Sequence, residues 1–399
     1  MANVSSSNGL EKRPKLAFRR ADGSSFPSWS RTSLSSIIEP YSEKVYGEHK
    51  YEVLTSSREG LQRQVDHFGS EQRHDTDGYN VIPFGYCTYR NRSDDGRFAF
   101  NINTISSNAI VSKFYPVFRF TNANSLFMSE FLNSSSRAKK KLSVLAVGTS
   151  QVVLSFEALK AAEFDLPCKD EQDKIASFFE CLNRRIEYQR TLVDALKKYK
   201  RGVNKQLLSQ IDNSCNCRLG SVCEIVGGGT PDTLHTEYWG STVEWFTPSE
   251  IGKTKYVSSS VRKLSDIGLN NSSAKLLPIG TVLLTTRATL GEMSIAKREC
   301  CTNQGFQSLI PHQDRVLSEY LYYMQIIIKP WCEKYASGNT FREISKSALS
   351  NCIIPLPDRT KQEEIVKLLS SIDILISAEE GIAMSLSKMR HSLVQQLFI

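Results

Sequence analysis

The residues of this sequence best suited to chemistry are basic ones in polar stretches. Arg58, Arg63, Arg90, Arg92 and Arg97 fall in loops of the first half, and Lys139, Lys140 and Lys141 form a short run. In the second half Lys253, Lys255, Arg287 and Arg342 stand out. Arg287 lies between Thr286 and Ala288, just past the apolar Val282 to Leu284. A charge there is costly unless it is paired or faces an anion. Arginine suits the guanine edge, and lysine commonly holds phosphate. These types in loops point to nucleic-acid contacts, set against the ordinary alternative of a solvated surface.

Other chemistry lacks comparable support. Gly227-Gly-Gly-Thr-Pro231 does not end in Gly-Lys-Ser/Thr, so it reads as a turn and not as a phosphate loop. No Asn/Asp-Pro-Pro-aromatic tetrapeptide occurs, which argues against an adenine methyltransferase domain. Glu48-His49-Lys50 resembles the tail of a nuclease motif but lacks a preceding Pro-Asp pair, and a solvated turn is the better reading. The six histidines show no His-x-x-x-His spacing. Cys215-Asn-Cys217 and Cys300-Cys301 have no second pair at zinc-ligand spacing. The expectation is no catalytic residue and no metal ligand on this chain.

Those basic residues need elements to position them, and the clearest is present twice. Asp170 to Leu208 reappears 190 positions later, without a gap, as Thr360 to Phe398. The first seam is Ile175, Phe179, Leu182, Ile186, Gln189, Val193, Leu196, Lys200, Val203 and Leu207. The second is Ile365, Leu369, Ile372, Ile376, Glu379, Ala383, Leu386, Arg390, Leu393 and Leu397. Steps of four and three alternate, the rhythm of a coiled-coil seam. The polar interruptions keep register, Gln189 with Glu379 and Lys200 with Arg390. Leu166-Pro167 and Leu356-Pro357 precede the two copies as start signals. This predicts two helices of roughly 40 residues, each about 60 Å long. Two matched seams favour antiparallel pairing with globular domains at opposite ends; the plainer alternative packs each helix on its own domain.

The globular stretches repeat more loosely. Leu34-Ser-Ser-Ile37 corresponds to Leu219-Gly-Ser-Val222, Pro83-Phe-Gly85 to Pro278-Ile-Gly280, and Gly148 to Gly338. Val53-Leu-Thr55 with Gly60 corresponds to Phe246-Thr247 with Gly252. The chain therefore reads as α/β, with two mixed α/β globular domains and two long antiparallel helices in a pseudo-twofold internal repeat. Its parts are a flexible tail (1–25), a first domain (26–165), a central helix (166–211), a second domain (212–355) and a C-terminal helix (356–399). In the first domain, strands are expected near Tyr51–Thr55, Val81–Tyr89, Phe98–Ile102 and Ala109–Phe120. A polar loop is expected from Ser56 to Asp77, and helix over Leu126–Leu145.

The net charge of +8 over 399 residues suits an anionic partner. No run of 18 apolar residues exists, so no membrane span is expected. The polar N-terminus lacks a signal core, so the expectation is a cytoplasmic protein with reduced cysteines.

Further motifs accompany this pattern. They are Pro14-Lys-Leu16 with Phe26-Pro-Ser-Trp29, the Gly227–Pro231 loop, Tyr238-Trp239-Gly240, Trp245-Phe-Thr247 and Leu283–Gly291. Thr302-Asn-Gln-Gly-Phe306 and Gly338-Asn-Thr-Phe-Arg342 continue the series. The helix openings are Leu166-Pro167 with Gln172-Asp-Lys-Ile175, and Pro355-Leu-Pro357 with Gln362-Glu-Glu-Ile365. Taken together, the chain resembles the DNA specificity (S) subunit of type I restriction-modification systems over nearly its whole length, the second half more closely. The resemblance implies a non-catalytic reader of double-stranded DNA. Each globular domain would be a target recognition domain for half of a bipartite, asymmetric site, and the paired helices would be a spacer. It implies methyltransferase (modification) subunits, two of them, docked on the helices, joined by motor-nuclease (restriction) subunits. No cofactor is implied on this chain: S-adenosylmethionine, ATP and Mg2+ would belong to those partners. Competing readings are a methyltransferase or nuclease with diverged motifs, and a coiled-coil scaffold that binds protein only.

Overall fold

The computed structural model describes residues 16–70, 75–287, 289–338 and 342–398. Contacts divide the chain into two units, Met1–Gln189 with Gly381–Ile399, and Arg190–Glu380. The seams form two uninterrupted helices, Lys169–Ser209 and Arg359–Leu397. Each helix starts in one unit and ends in the other. A unit is thus one mixed α/β lobe, half of the helix that follows it, and half of the other long helix. The linear order of domain, helix, domain, helix did not reveal this interleaving.

The helices form where they do for local reasons. Pro167 and Pro357 lie just upstream, where a missing N–H costs nothing. Asp358 caps the second helix by accepting from the Lys361 N–H at 2.8 Å. Asp170 and Glu171 sit in the first turn of the first helix, where the helix dipole favours acidic groups. Burial then follows the seam. Ile175, Phe179, Leu182, Ile186 and Val193 are buried on one helix, and Ile365, Leu369, Ile372, Ile376 and Leu397 on the other. Leu196, Val203, Leu207, Leu386 and Leu393 are partly buried beside them. Each fully buried aliphatic side chain contributes about 1.5–3 kcal/mol.

The helices meet each other inside each unit. In the first, Ile175 to Ile186 share a core with Val394, Leu397 and Phe398. In the second, Leu196, Val203 and Leu207 pack with Ile365 to Ile376. The early part of one helix faces the late part of the other, so the pairing is antiparallel. Each paired segment also joins its lobe's core, so pairing and lobe packing coexist.

The first lobe has two four-stranded sheets. One orders Ile38–Tyr41, Val117–Phe120, Cys87–Tyr89 and Phe100–Ile102; the other orders Gly60–Arg63, Glu52–Ser57, Ala109–Val111 and Asn80–Val81. The second lobe has a five-stranded and a four-stranded sheet. Each lobe contains parallel pairing: Glu52–Ser57 with Ala109–Val111 in the first, and Val243–Phe246 with Cys300–Thr302 and Tyr256–Val257 with Met293–Ala296 in the second. The expected polar loop at 56–77 instead holds the hairpin strand Gly60–Arg63 and a short helix, Gln64–Phe68. The helical stretch 126–145 breaks at Ser135 into Ser125–Ser134 and Ser136–Leu145.

The repeat extends to individual hydrogen bonds. Leu34 N–H donates to Ala162 O, and Leu219 N–H to Cys352 O, both at 2.8 Å. Ser155 and Ser345 cap equivalent helices by accepting from Ala158 and Ala348 N–H, both at 3.1 Å. Pro83 and Pro278 open the same turn, closed at 3.2 Å by Tyr86 and Thr281 N–H. Gly148 and Gly338 have φ of 140° and 118°, a backbone region that favours glycine. At Gly148 a Cβ would meet Gln151 O at 2.3 Å.

Of the expected tail, residues 1–15 lie outside the described residues. Residues 16–25 make contacts: Arg19 bridges Ser25, and the Phe18 ring sits 5.6 Å from Phe178 on the first long helix.

Candidate nucleic-acid interface

In the first lobe two of the expected arginines come together. Glu52–Ser57 delivers Arg58 to a tight turn, and Cys87–Tyr89 ends beside Arg90. Both line a cleft of about 500 Å³ with Gln64, His67, Phe68, Tyr79, Ser112 and Tyr115. Arg58 Nη2 donates to Asp95 Oδ1 at 2.7 Å, and its side chain stays 65% exposed. Asp95 is itself held by the Ser93 hydroxyl at 2.9 Å and the Arg97 N–H at 3.2 Å. The Ser93 bond first, then Arg58, keeps the Asp95 carboxyl below its usual range.

The other first-lobe candidates lie outside the cleft lining. Arg63 pairs with Glu52 on the neighbouring strand. Arg97 is the more distant partner of Asp95, at 3.9 Å. Arg92 lies over the exposed Phe114 ring at 5.4 Å, and Lys113 lies 5.8 Å from the same ring. Lys139 and Lys140 are exposed. Lys141 departs from the expected phosphate role: it donates to Glu163 O at 2.7 Å and lies over Phe164. His49 of the Glu48-His49-Lys50 stretch is engaged by Thr76 Oγ1 at 2.7 Å.

In the second lobe Arg287 meets the sequence argument by pairing. Its Nη2 lies 2.8 Å from Glu343 Oε2, and Thr286 Oγ1 donates to the same carboxylate at 3.4 Å. Arg342 donates to Glu333 O, and Lys253 is exposed. Lys255 departs most from expectation. Its amine donates inward to Tyr323 Oη at 2.9 Å and Ser370 Oγ at 3.0 Å, 4.5 Å from the Tyr323 ring centre. Burial, with Lys200 nearby, lowers its pKa against the pull of Asp373 and Glu319. The triple-glycine stretch packs backbone on backbone: Gly229 N–H donates to Thr302 O at 2.9 Å, and a Cβ on Gly228 would meet Asn303 O at 2.0 Å. Among the described residues, no group of three or more His, Cys, Asp or Glu is placed to hold a metal.

In each unit a polar lock at the matching place fastens lobe to helix. Lys200 pairs with Asp373 across the two helices. The Tyr323 hydroxyl, from the lobe, donates to Asp373 Oδ2 at 2.6 Å. Burial and that carboxylate push the Tyr323 phenol far up. At the matching place, 190 positions on, Arg390 Nε donates to Asn183 Oδ1 at 2.6 Å. Arg390 Nη2 also reaches the lobe's Glu130 Oε2 at 2.5 Å. Both units therefore hold the antiparallel helices in one register, and each lock takes a group from its own lobe. A polar group in a seam penalises other registers, because a shift strands it among apolar neighbours.

A second matched pair sits at the helix openings. Gln172 donates to Pro167 O and accepts from Asn124 N–H, both at 2.9 Å. Gln362 donates to Pro357 O and Arg315 O at 2.9 Å and accepts from Leu317 N–H at 3.0 Å. The sequence displayed these glutamines and the seam cations, but not their partners. Asn183 and Asp373 are also 190 apart, so the repeat spacing itself was a usable signal for them.

Residues 39–198 and 212–387 match the model of the type I restriction modification DNA specificity domain. The chain is 35% identical over 186 residues to the specificity subunit of type I restriction enzyme MjaIX of Methanocaldococcus jannaschii, covering 46% of this chain and 43% of that one. It is 26% identical over 236 residues to the EcoR124I/EcoR124II specificity subunit of Escherichia coli, covering 54% and 57%. The matches span about half the length of these curated relatives. A chain from a structural study of type I R-M complex assembly and conformational transition aligns over 93% of this chain and 98% of its own, with TM-score 0.60 and 20% identity. The type I S subunit from M. genitalium aligns over 97% and 99%, with TM-score 0.55 and 15% identity. These two likenesses show a shared fold.

Proposed function

Because the chain belongs to the type I restriction modification DNA specificity domain family, we propose that it is a non-catalytic DNA reader. Each lobe contacts one half of a bipartite, asymmetric site, and the helix pair fixes the gap between the halves. The observation that carries this reading is the repeated lock, Lys200 with Asp373 and Arg390 with Asn183, each tied to its own lobe. A spacer that tolerated several registers would accept several gaps. Helices of 41 and 39 residues run about 60 Å at 1.5 Å per residue. Successive major-groove faces recur about every 34 Å, so such a spacer suits readers set more than one turn apart.

The chemistry belongs to partners in this reading. Methyltransferase subunits, two by the repeat, bring S-adenosylmethionine, and motor-nuclease subunits bring ATP and Mg2+. Exposed apolar side chains on the helices offer docking area: Tyr199, Ile374 and Leu375 in one unit, Tyr188, Ile382 and Met384 in the other. No helix among the described residues is long and apolar enough to cross a membrane, and the assembly would work where the DNA is, in the cytoplasm. The test is to express the chain with its cognate methyltransferase and map methylated adenines across the host genome. A split motif with two defined halves and one gap length supports the proposal. A continuous motif, or methylation without sequence preference, contradicts it.

A further inference from the structure

The first-lobe cleft has a one-sided charge pattern. Its lining holds Arg58, Arg90 and His67 and no carboxylate. The carboxylate nearest in role, Asp95, stands outside that lining and spends its charge on aiming Arg58. Asp95 is fixed by Ser93 and the Arg97 N–H, so the guanidinium is held in place before any ligand arrives. A guanidinium offers five donors, and the Asp95 contact uses one nitrogen. Part of the wall is aromatic: Phe68, 53% exposed, with Tyr79 and Tyr115. A volume of about 500 Å³ suits a piece the size of a nucleotide and excludes a duplex.

We infer that this cleft holds one phosphodiester of the DNA backbone. Arg58 and Arg90 meet the phosphate oxygens, and the aromatic wall meets the sugar. The inference rests on the DNA-reading function and adds the site where the first lobe grips the strand without reading its sequence. Phosphate contacts fix position and carry no base information.

The test uses the complex of this chain with its methyltransferase subunits and a duplex carrying the mapped site, titrated at several salt concentrations. Arg58→Ala and Arg90→Ala are each expected to lower the slope of log affinity against log salt by about 0.9. Both should weaken site and random duplexes by the same factor and leave the methylated motif unchanged. Arg58→Lys should restore most of the slope. Arg31→Ala, at a surface pair with Glu163, should leave it unaltered. An unchanged slope in both alanine variants overturns the inference. So does a relaxed base preference at one position, which would make the cleft a base reader. Mononucleotide or inorganic phosphate binding that the variants lose while duplex binding stays intact would assign the cleft to a free anion. If the unaltered complex shows no salt-dependent duplex binding, the DNA-reading proposal falls as well. Matched thermal unfolding of the variants and the parent excludes misfolding as the cause.

Discussion

Lys200→Met takes the cation out of the second unit's lock and leaves Asp373 facing the seam. Lys200 and Asp373 side chains are only 21% and 24% exposed. Breaking a fully buried pair costs about 3–5 kcal/mol, and an exposed pair is worth about 0.2–1. Three-quarters burial, with the Tyr323 hydroxyl still on Asp373 at 2.6 Å, places the expected loss at about 2 kcal/mol. Asp373→Leu should cost more, about 3 kcal/mol, because Lys200 and Lys255 then share a site without their carboxylate. The double variant Lys200→Met/Asp373→Leu removes both charges and leaves Lys255 its bonds to Ser370 and Tyr323. It should be more stable than the sum of the singles by about 2 kcal/mol. The assay is urea unfolding followed by tryptophan fluorescence, since Trp239, Trp245 and Trp331 all belong to this unit. A loss of 2 kcal/mol should also lower Tm by about 4–8 °C. Additive costs, with coupling under about 0.5 kcal/mol, would refute the claim that these groups act as one lock.

Two smaller predictions accompany it. Gln362→Leu strands Pro357 O, Arg315 O and Leu317 N–H in a buried corner and should cost about 3 kcal/mol. Gln172→Leu should act alike in the other unit, both read by chemical unfolding. Glu244 is buried, yet Lys263 and the Ser260 N–H and hydroxyl outweigh that burial and hold its carboxyl below the usual range. The charged form is therefore favoured in the fold. Its contribution is present above the ordinary value of about 4.3 and lost as pH falls through the lower folded value. Glu244→Gln should unfold more easily at pH 7 and show a flatter acid limb than the parent when Tm is measured against pH.

The helices were legible because a heptad seam repeats its own proof every few residues. A duplicate at constant spacing then tied Lys200 to Arg390 before any partner was known. The antiparallel pairing followed from the matched seams, but the lobe groups that join each lock, Tyr323 and Glu130, were not legible. Asp373 stands far from Lys200 in sequence and looks like one more surface acid. Lys255 misled for a related reason: a lysine in a polar loop resembles a phosphate contact until Tyr323 and Ser370 arrive from distant segments. Arg58 and Arg90 were recognisable by type, but what brings them together is Asn101, whose strand pairs with Cys87–Tyr89 and whose amide donates to Ser56 Oγ and Ser57 O, and no local pattern announces that. The short Gln64–Phe68 helix escaped notice because five residues hold too little periodicity to register.

The spacer is tested most directly by adding one heptad to each long helix, after Gln189 and after Glu380, where the two units meet along the chain. Methylated adenines are then mapped with the cognate methyltransferase present. Seven residues lengthen a helix by about 10.5 Å, close to three base pairs of rise. The account predicts the same two half-sites with the gap widened by about three base pairs. The parental gap, or altered half-sites at that gap, would contradict it.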